Sequence, residues 1–121
     1  MTQESGAFLT VLDVVQQYFE GLHHADTQKL ARIFDPQIVL ISPGIRRTRD
    51  QWLQLVRTRP TPRDAGYPFA YQVLAIEVMG NQAMVKVSCP LLDHHYLDYL
   101  GLVRENNQWT IVSKMYADYP S

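Results

Sequence analysis

Hydrophobic positions recur early in the chain at helical spacing: Phe8, Val11, Leu12, Val15, Phe19 and Leu22, with Val14 and Tyr18 widening the stripe. That period predicts a helix from about Ser5 to His24. Asp26 then stands as the N-cap of a short helix carrying Leu30, Ile33 and Phe34, which Asp35-Pro36 stops. Ile38 to Ile41 reads as a short apolar strand, ended by Ser42-Pro43-Gly44. A third helix is predicted to begin at Thr48 or Arg49 and to bury Trp52, Leu53 and Val56. Pro60, Pro62, Gly66 and Pro68 mark a loop within one domain, because too little chain lies on either side for two cores.

From Phe69 the period changes to two. Gln72, Leu74, Ile76 and Val78 alternate with Tyr71, Val73, Ala75 and Glu77, and Gly80-Asn81 signals a hairpin turn. The next strand carries Ala83, Val85, Val87 and Cys89 on one face and Met84, Lys86 and Ser88 on the other. A last hairpin is predicted from Asp93 to Pro120 about an Asn106-Asn107 turn, a pair suited to type I′ geometry. A regular register from that turn pairs Glu105 with Gln108, Arg104 with Trp109, Leu102 with Ile111, Leu100 with Ser113 and Asp98 with Met115. It turns Leu100, Leu102, Trp109, Ile111, Met115, His94, Tyr96 and Asp98 inward, and His95, Leu97, Tyr99, Val103, Val112, Lys114 and Tyr116 outward. Helices first and strands last is the α+β pattern.

The bulk properties narrow the class. A chain of 121 residues, 46% hydrophobic and 19% charged, suits one domain with a real core spanning residues 1–121. A formal charge of -1 without a basic block argues against nucleic acid as the partner. The single cysteine, Cys89, forms no internal disulfide, and no zinc-ligand spacing occurs. There is no signal-peptide pattern and no apolar run long enough for a membrane, so a soluble cytoplasmic protein is expected. No phosphate loop or dinucleotide fingerprint is present, and no cofactor is expected.

Several local motifs resemble a known family: Val15-Gln16-Gln17-Tyr18-Phe19-Glu20-Gly21-Leu22 followed by Ala25-Asp26, Leu30 to Pro36, and Arg49-Asp50-Gln51-Trp52-Leu53. The strongest are Asp98-Tyr99-Leu100 with Leu102, and Trp109-Thr110-Ile111-Val112-Ser113-Lys114. Over nearly its whole length the chain resembles nuclear transport factor 2-like domains, and within them the branch named putative lumazine-binding proteins. The resemblance implies a cone-shaped, curved antiparallel sheet wrapped around the N-terminal helices, enclosing a cavity. Such domains include ketosteroid isomerase-like enzymes, cyclases, dehydratases and non-catalytic accessory domains, so it does not set function.

Asp98 carries the candidate chemistry. A carboxylate on an apolar inward face needs a partner, a pocket or a job. With Tyr18, Trp52, Cys89, His94, Tyr96 and Met115 it outlines a pocket for a small apolar or aromatic ligand. In that reading Asp98 acts as general base or neutral donor, Tyr18 donates to a ligand carbonyl and Trp52 stacks on a flat ring. The plainer alternative fixes Asp98 by Arg46, Arg47 or a backbone amide, and makes Tyr18, Trp52 and Cys89 core residues. The His23-His24 and His94-His95 pairs do not require a metal, because adjacent residues on a strand point to opposite faces. Arg46, Arg47, Arg49, Arg57, Arg59 and Arg63 around the third helix either guard a pocket mouth or form a solvated face neutralised by Asp50 and Asp64; the solvated face is preferred. Tyr71, Val73, Met84, Tyr99, Val103, Val112 and Tyr116 make the outer sheet face too apolar to leave in water, and the resemblance implies a homodimer through it.

Overall fold

The computed structural model describes the backbone of residues 2–119 and the side chains of residues 6–119. The elements run α1 (Thr2–His24), α2 (Thr27–Ile33), β1 (Phe34–Ser42), β2 (Ile45–Thr48), α3 (Arg49–Thr58), β3 (Gln72–Met79), β4 (Gln82–Leu91), β5 (His94–Glu105) and β6 (Gln108–Asp118). Pro120 lies outside the described residues.

Local chemistry explains the helix boundaries. Asp26 caps α2 by accepting from the Lys29 amide at 3.1 Å. Thr48 caps α3 in a reciprocal capping box with Gln51. Val11, Val15, Tyr18, Phe19 and Leu22 bury one face of α1. Phe8 stays exposed, with Ala7 buried beside it. Phe34 belongs to β1 rather than α2, and Asp35-Pro36 falls inside the strand, where the pairing to β6 is irregular between Phe34 and Val39. The short strand β2 has too few alternating residues to stand out in the sequence.

The six strands form one sheet in the order β2-β1-β6-β5-β4-β3. It is not the antiparallel cone expected from the resemblance. β1 runs parallel to β6, which makes the sheet mixed. Its two ends, β2 and β3, do not pair with each other, so it is open rather than closed or curled around the helices. Turn residues reveal hairpins between chain neighbours, whereas the parallel β1–β6 pair is joined only by a crossover through α3 and the four strands β2, β3, β4 and β5.

Two bulges decide which side chains face the helices. In the last hairpin Asn106 and Asn107 both have positive φ, 53° and 60°, and the expected register holds from Glu105–Gln108 to Leu102–Ile111. There Val112 is extra. Gly101 then pairs with Ser113, Leu100 with Lys114, Tyr99 with Met115 and Asp98 with Tyr116. A Cβ on Gly101 would collide with Ser113 Oγ, so the glycine admits the close approach. The one-residue slip overturns the expected faces: Lys114 and Tyr116 turn inward, and Met115 turns outward. A second irregularity, between Val73 and Ala75, leaves Leu74 exposed and buries Tyr71, which was expected outside. The β4–β5 turn, Leu92-Asp93, has φ of 51° and 69°, a left-handed conformation that a leucine rarely adopts.

Candidate functional site

The site forms where β5 and β6, past the Val112 bulge, meet α1 and α3. Across the inner face, β-pairing sets Lys114 between Leu40 and Leu100, and Asp98 between Val87 and Tyr116. Asp98 is 2% exposed and Lys114 5%. Tyr18 from α1 donates its hydroxyl to Asp98 Oδ2 at 2.6 Å, and Cys89 Sγ lies 3.6 Å from the same oxygen. Lys114 Nζ stands 4.0 Å from Oδ2, an ion pair just beyond hydrogen-bond reach. The Asp98 contacts are thus Tyr18, Cys89 and Lys114. Arg46 instead donates to the carbonyls of Ser42 and Ile45, and Arg47 to the Tyr116 hydroxyl.

The Lys114 ammonium sits in an aromatic cage, 4.3 Å from the Trp52 ring centroid, 5.2 Å from Tyr18 and 5.4 Å from Tyr116. Arg59, which caps the C-terminus of α3, brings its guanidinium carbon to 6.0 Å from the same indole. These groups surround a pocket of about 160 Å³. Its polar and aromatic wall is Tyr18, Arg47, Trp52, Arg59, Tyr96, Asp98, Lys114 and Tyr116, and Leu22, Leu55, Cys89 and Leu91 supply the rest.

Burial dominates the electrostatics. It pushes the Tyr18 hydroxyl well above its ordinary pKa, and the Asp98 charge pushes it further, so the proton stays on tyrosine and is held by the carboxylate. Burial, then Asp98, likewise raises the Cys89 thiol and keeps it un-ionised, which removes it as a nucleophile at neutral pH. Burial lowers Lys114, and Asp98 partly opposes the change. Burial also lowers Arg59. Two buried side-chain polar atoms among the described residues have no hydrogen-bond partner: Asp98 Oδ1, an acceptor, and Arg59 Nη2, a donor. Both residues line this pocket.

Of the residues singled out in the sequence, Tyr18, Trp52, Cys89, Tyr96 and Asp98 line this one pocket. Met115 does not. The bulge sends it outward, 54% exposed, and Lys114 takes the inward place. His94 is also not in the wall: it is exposed at the sheet end and bonds Asp118 through Nδ1 at 2.7 Å. That bond, with one from the His95 amide, holds the Asp118 carboxyl below its ordinary range. His95 is engaged with Ser88 and His23 with Tyr71, so the histidine pairs are dispersed. Trp52 offers its ring to Lys114 rather than presenting a free stacking face. The sequence reading turned Lys114 and Tyr116 outward, and it preferred a solvated face to a pocket mouth for Arg47 and Arg59, yet all four line the pocket. The available signal was Gly101 inside a strand, a mark of a bulge, opposite a Ser113 that breaks the apolar alternation of Trp109 and Ile111.

A family model described as putative lumazine-binding matches residues 7–117. No curated protein matches the chain. Among solved structures, the chain is similar to an NTF2-like protein of unknown function from Shewanella baltica OS155, with a TM-score of 0.85, 18% identity and 97% of each chain covered. It is similar to another from Silicibacter pomeroyi DSS-3, with a TM-score of 0.80, 19% identity, and 96% of this chain and 98% of that one covered. A third, from Methylobacillus flagellatus KT, has a TM-score of 0.77 at 12% identity, covering 95% of this chain and 94% of that one. At these identities the likeness is one of fold.

Proposed function

The chain belongs to the putative lumazine-binding family of nuclear transport factor 2-like domains, and we propose that it is a small-molecule-binding domain whose ligand contacts Asp98. One observation carries this reading. Asp98 lines an open pocket, and its Oδ1 is a buried acceptor with no donor from the protein. An orphaned buried acceptor is unfavourable by about 1–3 kcal/mol, which a ligand donor in the pocket would recover. The volume of about 160 Å³ restricts the ligand to a small one. Native mass spectrometry of the protein purified from its own cells tests the proposal. A bound small molecule is expected, lost in Leu55→Trp, which adds bulk at an exposed wall position. Recovery of ligand-free protein alone would count against it.

A catalytic reading is favoured by the 2.6 Å Tyr18–Asp98 hydrogen bond, which couples the carboxylate to a second titratable group. It makes the protein a cofactor-free isomerase, cyclase or dehydratase with Asp98 transferring the proton. Asp98→Asn should then abolish turnover, by about 10²–10⁴-fold. If that variant keeps both its ligand and its turnover, the catalytic role is dropped and the pocket is kept.

For assembly, we propose a homodimer through the outer sheet face. In place of Tyr71 and Tyr116, the row there runs from half-buried Ile41 across exposed Met115 and Tyr99, and Met84 and Leu74 are also exposed. Sedimentation at micromolar concentration should give twice the mass of one chain; a stable monomer would sink the idea. No helix among the described residues is long and apolar enough to cross a membrane. A cytoplasmic location belongs to the proposal and is checked by cell fractionation.

A further inference from the structure

The orphaned polar atoms are complementary in kind: one acceptor, Asp98 Oδ1, and one donor, Arg59 Nη2, on two residues that line one pocket. A ligand satisfying both must carry a donor and an acceptor. The charge balance specifies the acceptor. Three cationic side chains, Arg47, Arg59 and Lys114, face the pocket with one carboxylate, Asp98. Lys114 lies 4.0 Å from that carboxylate, where opposite charges largely offset each other. Arg47 is already engaged with the Tyr116 hydroxyl at 2.6 Å. Neither Arg47 nor Arg59 is within ion-pair distance of a carboxylate among the described residues, but only Arg59 also has a buried guanidinium nitrogen without an acceptor, and its planar fork matches a carboxylate better than a neutral carbonyl.

Resting on the small-molecule reading above, we propose that the ligand is a small organic carboxylate that also bears an O–H or N–H donor. Its carboxylate meets the Arg59 guanidinium, and its donor meets Asp98 Oδ1. The occupied Trp52 ring supports this choice. Lys114 already sits over the indole, so the pocket offers an incoming molecule charge and hydrogen bonds rather than an empty aromatic platform.

The test titrates 2-, 3- and 4-hydroxybenzoate, with the matching neutral hydroxybenzamides and donorless methoxybenzoates, against the folded protein. The signal is the Trp52 indole N–H resonance, with Trp109, absent from the pocket wall, as the internal reference. At least one hydroxybenzoate should shift Trp52, binding about tenfold more tightly than its amide and its methoxy analogue, the discrimination typical of a charged hydrogen bond. Arg59→Gln should bring the acid-to-amide ratio to about one. Arg59 is half-buried, so this variant keeps the fold more readily than any change at Lys114. Equal binding of acids and amides, or an acid preference that survives Arg59→Gln, overturns the carboxylate assignment and leaves the small-molecule reading standing. If no member of the panel shifts Trp52, this inference also fails, and the general reading then rests on the native mass measurement alone.

Discussion

Near the Asn106–Asn107 turn, the β5–β6 hairpin pairs Leu102 with Ile111 and Arg104 with Trp109, and its inward side chains fill the core. Beyond Val112 the same two strands turn Asp98, Lys114 and Tyr116 inward and build a pocket. The two halves belong to the same pair of antiparallel strands. They differ by a single unpaired residue, which reverses the facing of everything after it. A bulge thus lets one continuous strand serve the core at one end and hold charged groups at the other. The charged end is the less favourable one. A lysine and an aspartate 4.0 Å apart and almost wholly buried are expensive to desolvate, and such a pair is weak evidence for stability. The proposed ligand would give such a pair a reason to be there.

The sharpest way to break this contrast is at the turn end. Trp109→Ala empties a buried core position and should lower stability by about 3–5 kcal/mol in urea unfolding, as aromatic truncations do. The fraction that remains folded should still show an unchanged Trp52 environment.

At the pocket end a double-mutant cycle is the informative experiment. Asp98→Asn or Lys114→Met alone should each lose about 3 kcal/mol, because each leaves the other charge buried without its counterion. Together they should restore at least the parental stability, since a neutral pair avoids the desolvation penalty. Additive losses in urea melts would show that the two groups do not act as a pair.

The boundary between the halves is tested by Gly101→Ala. The added methyl meets Ser113 Oγ and should destabilise by about 1–3 kcal/mol, as overpacking does. Ser113→Ala in the same chain should recover part of that loss by removing the hydroxyl.

A smaller effect should appear with pH. Burial holds Lys114 below its ordinary value of 10.5, so between the lowered and ordinary values the unfolded chain binds more protons, and stability rises with pH through that window. Tyr18 and Tyr71 are pushed the other way by burial, Tyr71 to about 12, so above their ordinary 10.0 the folded chain keeps the extra protons and stability falls. Urea midpoints across pH 7–11 should therefore rise and then turn down near pH 10, and Lys114→Met should flatten the rise. Smallest of all, Met115→Lys should change monomer stability by no more than about 0.5 kcal/mol, because the side chain is in solvent. The same substitution should dissociate the proposed dimer in sedimentation.

Much was legible in the linear chain because it is local. The stripe of α1, the caps at Asp26 and Thr48, the Asn106–Asn107 turn and the first pairs beside it follow from residue types a few positions apart. Family membership was legible for the same reason, since the matching motifs are core and turn motifs. The inward direction of Asp98 could be read as well, although its cross-strand partner is Tyr116 rather than Met115. Tertiary structure alone decided the rest. The parallel β1–β6 pair joins segments that no turn connects, so the sheet is mixed and open rather than an antiparallel cone. The Val112 bulge reassigned Lys114 and Met115, because a period-two pattern carries no memory of its phase across an inserted residue. Arg59, at the end of α3, follows Trp52 by about two helical turns, which puts both on one side of the helix; the packing of α3 on the sheet then turned that side toward Asp98 and Lys114.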